Sequence, residues 1–594
     1  MSKSPRSLLQ RQRTLPSSCI DPPLLRNLLS MDDLPQELID NISSFLPLED
    51  LKNTLTVSSK FQLAAEICSQ GFERFEITEE NADKFLAIYG GHRRQYLRYI
   101  HFRPWLPALD TEPPEGTSPP CRDSASELAQ DNEHFTSQIQ KLFSILNSLQ
   151  SKMDELNFSN GVRLTIYTPR RWVLSSAGYC KHRAYVSWRI HLLNPEILPA
   201  IRFIDTLVIR NGKDHHLLND DMHGASLRSL DLRILVDLAD KLPNLRKLIC
   251  KVGGEDWVSY VNWAAYTANQ YRHVFEGPKR DSRHSFANMA PKIQSKGLRD
   301  LDLDFLSPMY VIDWIDQRKL MPNLVAPASY DLFSTALRIL SYPLRRLKLR
   351  GVFDDTLFCS RNSRDDTPDW PNLEILNVAF HPVSPTGAWY FRGLESESME
   401  SGFEVTSAHY PPYETSSADQ ANHDDYDTYI DWFEDARAQF RAIPNDQLIE
   451  PLLTEFARAT KNMPSLKAAV LWSPLQFLVE DVGGVYETIF RKSGDSEEFI
   501  NSILGWGVVY SAPALDKDSY QLLEGGPTTK RQLWWHVADW RPHPALRGMF
   551  QGIGNSAHQS ELTEYWNETA DWKDLEDRHV LEDSTWRYFS QISG

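Results

Sequence analysis

The sequence has no CxxC pair. Its six cysteines, at positions 19, 68, 121, 180, 250 and 359, are scattered along 594 residues. That spacing argues against a disulfide framework and a zinc site, and predicts reduced thiols in a cytoplasmic or nuclear protein. No apolar run approaches the roughly eighteen residues a membrane helix needs, so no membrane partner is expected. The N-terminus has Lys and Arg but no apolar stretch of a secretory leader. Acid outweighs base, with a formal net charge of −17, which argues against a general nucleic-acid surface. Catalytic motifs are missing too. There is no GxSxG and no HExxH. The run Gly525 to Lys530 fails the phosphate-loop spacing, and Pro527 lacks an N–H donor. Gly552-Ile553-Gly554 has no third glycine. His215 and His216 are adjacent and would point different ways. No catalytic residue, cofactor or metal ligand is nominated, and the chain is not expected to be an enzyme.

What is present reads as ordinary globular material, 41% hydrophobic and 24% charged, long enough for several domains. Residues 1–30 carry five Lys/Arg against one acid and read as a disordered basic tail. Strands are predicted at 72–77 and 97–102. A Pro-rich loop at 107–124 follows, then an amphipathic helix from Glu127 to Leu149 and a strand from Val162 to Tyr167. An element of the form apolar-x-x-apolar-x-apolar then recurs, beginning at Ile204, Leu227, Leu245, Leu298, Leu344, Leu373 and, in degenerate form, Leu466. Helical segments at 235–242 and 446–461 lie between copies. The pattern is similar to leucine-rich repeats, which set one strand per repeat side by side. Successive intervals of 23, 18, 53, 46, 29 and 93 residues are too uneven for a regular array. They imply an irregular solenoid with insertions; the alternative is a non-repetitive α/β domain.

The stretch from Met31 to Phe72 holds three short amphipathic segments. Asp33 is placed to cap the first helix and Pro35 fits its first turn. Leu38, Ile42, Phe45 and Leu46 recur at helical spacing, with Ile39 beside them. Pro47 ends that helix, Glu49 and Asp50 open a second, and Ser58 caps a third holding Phe61, Ala64, Ala65 and Cys68. So few residues cannot bury all those apolar faces among themselves. The set Leu34-Pro35-x-Glu37-Leu38, Ile42, Leu46, Asp50-Leu51, Leu55, Val57-Ser58 and Phe61 resembles an F-box, with Phe61 where the family often has Trp. The resemblance covers roughly forty residues. It implies a trihelical module that docks on a Skp-type adaptor and, through it, a cullin. Leu34, Pro35, Leu38, Ile42, Leu46, Leu51 and Val57 are the adaptor-binding residues it implies.

The expected architecture is α+β and multidomain: a basic tail (1–30), a three-helix F-box (31–75), linker strands with the Pro-rich loop and long helix (76–160), an irregular leucine-rich-repeat-like α/β region (161–475) and a Trp-rich C-terminal cap (476–594). Inside the fourth region, residues 395–435 carry twelve Asp/Glu and no Lys or Arg and read as a loosely attached insertion. The last region holds seven of the seventeen Trp. Its run from Arg531 to Pro542 offers Trp534, Trp535, Trp540 and Arg541 as substrate-binding candidates, against the simpler reading that they pack the end of the array. The expected role is a substrate receptor of a Skp–cullin–F-box ubiquitin ligase that holds an unknown target protein. An adaptor-bound scaffold without a ubiquitylated client is the alternative. An unrecognised enzyme or small-molecule binder in the α/β region is the remaining one.

Overall fold

The computed structural model describes residues 34–107, 122–154, 161–172, 188–211, 225–253, 276–293, 297–307, 317–318, 320–360, 370–393, 401–414, 440–478, 501–513, 529–537 and 540–566. The basic tail, Asp33, His215, His216, residues 525–528 and most of the acidic insertion lie outside them. The chain divides into two compact units, 1–73 and 74–594.

In the first unit, α1 (Gln36–Ser44), α2 (Leu48–Thr54) and α3 (Ser59–Cys68) follow one another closely. Pro35, with its fixed φ of −54°, stands at the cap of α1 without a side-chain hydrogen bond, one residue outside the turn predicted for it. Pro47 separates α1 from α2, whose first turn carries Glu49 and Asp50 against the positive end of the helix. Ser58 caps α3, its hydroxyl accepting from the Phe61 N–H at 3.4 Å. The core is small: Ile39, Phe61 and Ala64, with Leu34 packed against them. Gln36 ties α1 to α3 by donating to the Lys60 carbonyl at 3.0 Å, and Lys60 Nζ donates to the Leu34 carbonyl at 2.8 Å.

The second unit is built on one open, twelve-stranded, mostly parallel sheet. Its strands in chain order are β1 (Arg74–Ile77), β2 (Tyr99–Phe102), β3 (Val162–Tyr167), β4 (Ile204–Arg210), β5 (Lys247–Gly253), β6 (Asp300–Ser307), β7 (Arg346–Gly351), β8 (Ile375–Phe380), β9 (Ala468–Leu478), β10 (Asn501–Ser511), β11 (Arg531–His536) and β12 (Leu562–Trp566). Spatial order equals chain order. Strands β1 to β9 are parallel; β10 and β11 run antiparallel to their predecessors, and β12 lies parallel to β11. The sheet therefore crosses the boundaries expected at 160/161 and 475/476: the strands before and after the repeat-like region belong to the same sheet.

Helices α4 (Ala82–Tyr89), α5 (Ala125–Asp154), α6 (Arg233–Asp240), α7 (Gly277–Met289), α8 (Leu332–Ser341) and α9 (Asp446–Lys461) fall between parallel strands, and α10 (Pro544–Gln551) lies between β11 and β12. A parallel strand pair joined through a helix crosses over right-handed. When every crossover steps to the next strand in the same direction, the helices collect on one face. Ring contacts agree at the start and in the middle of the parallel run: Phe85 of α4 lies 5.2 Å from Phe75 of β1, and Phe333 of α8 lies 5.3 Å from Phe305 of β6.

Sheets with helices on both faces read as continuous apolar runs. These strands alternate instead. Leu301, Leu303, Leu347 and Leu349 are buried on one face, while Asp300, Asp302, Asp304, Arg346, Lys348 and Arg350 alternate with them. From β8 onward the second face turns mostly apolar, with Ala379, Val470 and Trp472 buried beside Asn377. One predicted repeat copy is not a sheet strand. Leu227 ends a short strand (Ala225–Leu227) of a separate three-stranded sheet, and Leu232 stands at the start of α6. Asp231 is the cause: its carboxylate accepts from the Arg233 N–H at 2.8 Å and starts the helix.

Where the small sheet meets α5, a charged cluster is sealed from water. Arg171 pairs with Asp131, Arg228 pairs with Asp123, and Arg228 also lies 3.8 Å from Asp131. Burial pushes the Asp131 carboxyl up, and the two guanidinium groups oppose it.

Candidate functional site

The helical unit leaves much of its apolar surface in water. Phe45 is 81% exposed, Val57 58%, Leu48 56%, Leu38 49% and Ile42 44%; Leu55 and Ile67 are exposed as well. Leu38 and Ile42 of α1 and Phe45 at its C-cap stand four and three residues apart, one above another on one face. The helix α1 buries Ile39 and Ser43 and leaves this stripe outside. The reason is α3. Phe61 and Ala64 offer a seat for Ile39, and the neighbouring stripe is left outside. Exposed side chains of this size and number are uncommon at the surface of one small unit and mark an interaction site.

The seven residues implied by the resemblance divide. Pro35, Leu38, Ile42 and Val57 are exposed, and Leu34 and Leu46 are half-buried. Leu51 is buried, the packed residue of α2, which places it in the core of the unit and not on its surface. Phe45 and Leu48 are exposed residues missing from that set. The helical spacing had marked Phe45. Burial and the Asp40 carboxylate both push the Cys68 thiol's pKa up, which disfavours its thiolate.

The aromatic candidates near the C-terminus are mostly committed to packing. Trp535 is fully buried, between Phe550 at 4.9 Å and Trp566 at 5.1 Å, and is not available to a substrate. Trp534 is half-buried and stacks on Tyr565 at 4.0 Å. Trp540 donates through Nε1 to Asp446 at 2.8 Å and meets Trp506 edge-on at 5.5 Å. Arg541 is exposed and lies over the Trp566 ring at 4.7 Å. Strand pairing explains the arrangement: Trp534 and Trp535 face Tyr565 and Trp566 across β11 and β12, and cross-strand aromatic pairs stack.

A cavity of about 360 Å³ lies elsewhere, between the segment 191–196 and the start of α6. His191 Nδ1 stands 3.7 Å from the Asp231 carboxylate, and Asp237 is held by Arg233 Nε at 3.1 Å. Its described lining has no Ser, Thr, Cys or Lys to act as a nucleophile. Among the described residues no group of three or more His, Cys, Asp or Glu is placed to hold a metal ion, and no helix is long and apolar enough to cross a membrane.

No protein-family model matches the chain. No curated protein is found similar to it.

Proposed function

We propose that this chain is an F-box substrate receptor: its helical unit docks on a Skp-type adaptor of a cullin ubiquitin ligase, and its sheet unit holds the target. The exposed stripe Leu38, Ile42, Phe45, with Leu48 and Val57, carries the reading. These residues fall within or beside the set that carries the F-box resemblance, in a unit too small to hide them. Each aliphatic chain covered by a partner contributes roughly 1.5–3 kcal/mol. The leucine-rich-repeat-like reading is supported by the segments at Ile204, Leu245, Leu298, Leu344, Leu373 and Leu466, which supply consecutive neighbours of one parallel sheet. On this reading the chain contributes position: it raises the effective concentration of a target lysine near the conjugating enzyme, and the bond chemistry belongs to other subunits.

The test is capture of the adaptor by the full chain and by a Leu38→Ser/Phe45→Ser double variant. Both positions are exposed, so the variant is expected to melt with the wild type and to lose adaptor and cullin together. Equal capture by the two proteins sinks the proposal. Adaptor retained without cullin turns it toward the scaffold reading.

A further inference from the structure

Across the polar face of the sheet, residues pair in register from strand to strand. One row runs Tyr99, Arg163, Thr206, Lys247, Asp300, Arg346; a row four residues further along runs Tyr167, Arg210, Lys251, Asp304, Arg350. Two of the three acids of β6 on this face are engaged by β7: Arg350 Nη1 donates to Asp304 at 2.8 Å, and Arg346 lies 3.7 Å from Asp300; Asp302 stands between them, opposite Lys348. On β3, β4 and β5 these rows carry Arg163, Arg210, Lys247 and Lys251 and no acid. Among the described residues none of these four side chains has a salt bridge. Arg210 stands 5.3 Å over the Tyr167 ring, and its Nε is buried without a hydrogen-bond partner. All four are half-buried, with their stems along the sheet. Crowding of like charge is felt here: burial first, then Arg210, lowers the pKa of Arg163 against Tyr99 and Tyr167, and His101 is pushed down to about 4 by burial and by Arg74, Arg210 and Arg163, with Glu76 opposing. In a chain of net charge −17, four cations gathered on adjacent strands without a salt bridge among the described residues are a cost that a bound anion would relieve.

We infer that Arg163, Arg210, Lys247 and Lys251 form a binding surface for an extended acidic peptide, carrying Asp/Glu or phosphorylated side chains. Arg163 and Lys247 lie two strands apart, about 10 Å; the two rows are about 13 Å apart along the strands. Arg210 and Lys251 are register neighbours on adjacent strands, about 5 Å apart, close enough to bracket one phosphate or carboxylate. An extended peptide rises about 3.3 Å per residue, so acids four positions apart reach from one row to the other. A peptide fits better than a nucleic acid: the patch is small, and the rest of the chain repels a long polyanion. As the identity of the target segment, this inference rests on the receptor reading above; as an anion-binding surface it stands without it.

The test uses the full chain and three fluorescein-labelled Gly/Ser peptides. One carries two Asp-Asp pairs four residues apart, the second has a phosphoserine in each pair, and the third has Asn in place of Asp. Fluorescence anisotropy at about 50 mM salt is expected to detect both acidic peptides and not the neutral one, with affinity falling steeply as salt rises. Arg163→Gln/Arg210→Gln and, separately, Lys247→Gln/Lys251→Gln should each weaken binding at least about tenfold, while Lys461→Gln at the exposed end of α9 binds as wild type. Tighter phosphopeptide binding assigns the site to phosphorylated targets, and equal binding assigns it to Asp/Glu-rich ones. The inference is overturned if the neutral peptide binds equally, if a ten-nucleotide single-stranded DNA binds more tightly than either acidic peptide, or if the folded wild type, checked by its melt, binds neither. Adaptor capture measured on the same proteins is expected to be unchanged in both patch variants, so the two proposals fail separately.

Discussion

Leu301, Leu303, Leu347 and Leu349 of the sheet are sealed on the helix-covered face, and charge stands on the opposite one. In residues 34–73 the order is reversed: Leu38, Ile42 and Phe45 face water around a core of little more than Ile39, Phe61 and Ala64. The difference lies in how much surface each can hide. A long parallel sheet with helices in most of its crossovers covers its own apolar face, and what it shows to a partner is charge. A three-helix unit of this length cannot do so, and what it shows is grease. The two regions should therefore respond in opposite ways to mutation, pH and salt.

The largest effect is expected where the sheet unit has buried charge. Arg228→Met removes the buried guanidinium that pairs with Asp123 and lies 3.8 Å from Asp131, and breaking a buried pair costs about 3–5 kcal/mol. Thermal melting of the variant should fall by several degrees while adaptor capture by the helical unit stays intact. Unchanged melting would mean that water reaches the cluster.

Leu51→Ala comes next. Leu51 is the buried residue of α2, and truncating it is expected to remove about 2–3 kcal/mol, the low end for a core leucine because a small unit can collapse around the gap. Hydrogen exchange over residues 48–68 is the measurement, and the loss should stay within the helical unit.

Much of this contrast was legible in the letters. The strand Val162 to Tyr167 and the helix Asp446 to Lys461 were read with their observed ends, because alternation and a 3.6-residue period are local properties. Leu227 to Leu232 was misread because its letters match a repeat, whereas the competing hydrogen bond from Arg233 to Asp231 starts a helix. Helix α7 escaped notice because it is polar: it buries Lys279 and Arg283, and Arg283 Nη2 donates to Asp331 at 2.8 Å and to the Val352 carbonyl at 3.1 Å. No period in the sequence announces partners that distant. The same holds for the candidate sites. Periodicity put Leu38 and Ile39 on one broad stripe, and only the position of Phe61 decides which of the two is outside. The basic patch gathers residues from three separate strands, so it exists only once the register is set.

A smaller effect separates the regions by pH. His381 is fully buried, and burial, reinforced by Lys279, pushes its pKa down to about 3, with Nδ1 accepting from the Val383 N–H at 3.0 Å. The unfolded chain takes up that proton near pH 6.5 and the folded chain does not, so stability falls as pH drops below 6.5. The expected loss is on the order of 2 kcal/mol between pH 6.5 and 5. His101 and His536, also pushed down to about 4, act in the same direction. His381→Gln should make the melting-temperature profile of the sheet unit shallower in that window without abolishing its slope.

The smallest effect on stability is expected at the exposed stripe, and it is the most informative. Ile42→Ser should change the melt by no more than about 0.5 kcal/mol, because the side chain already stands in water and little packing is lost. Its effect on adaptor capture should be far larger, since an apolar contact made only in the complex disappears. Salt completes the contrast. Raising it from about 50 to 500 mM shortens the Debye length severalfold and should release the acidic peptides from the sheet face. Capture through Leu38, Ile42 and Phe45 should persist, because burying apolar surface gains nothing from unscreened charge. A stripe variant that unfolds the helical unit, or adaptor capture that vanishes with salt, would show that the exposed leucines and the lysines of β5 do not divide the work in this way.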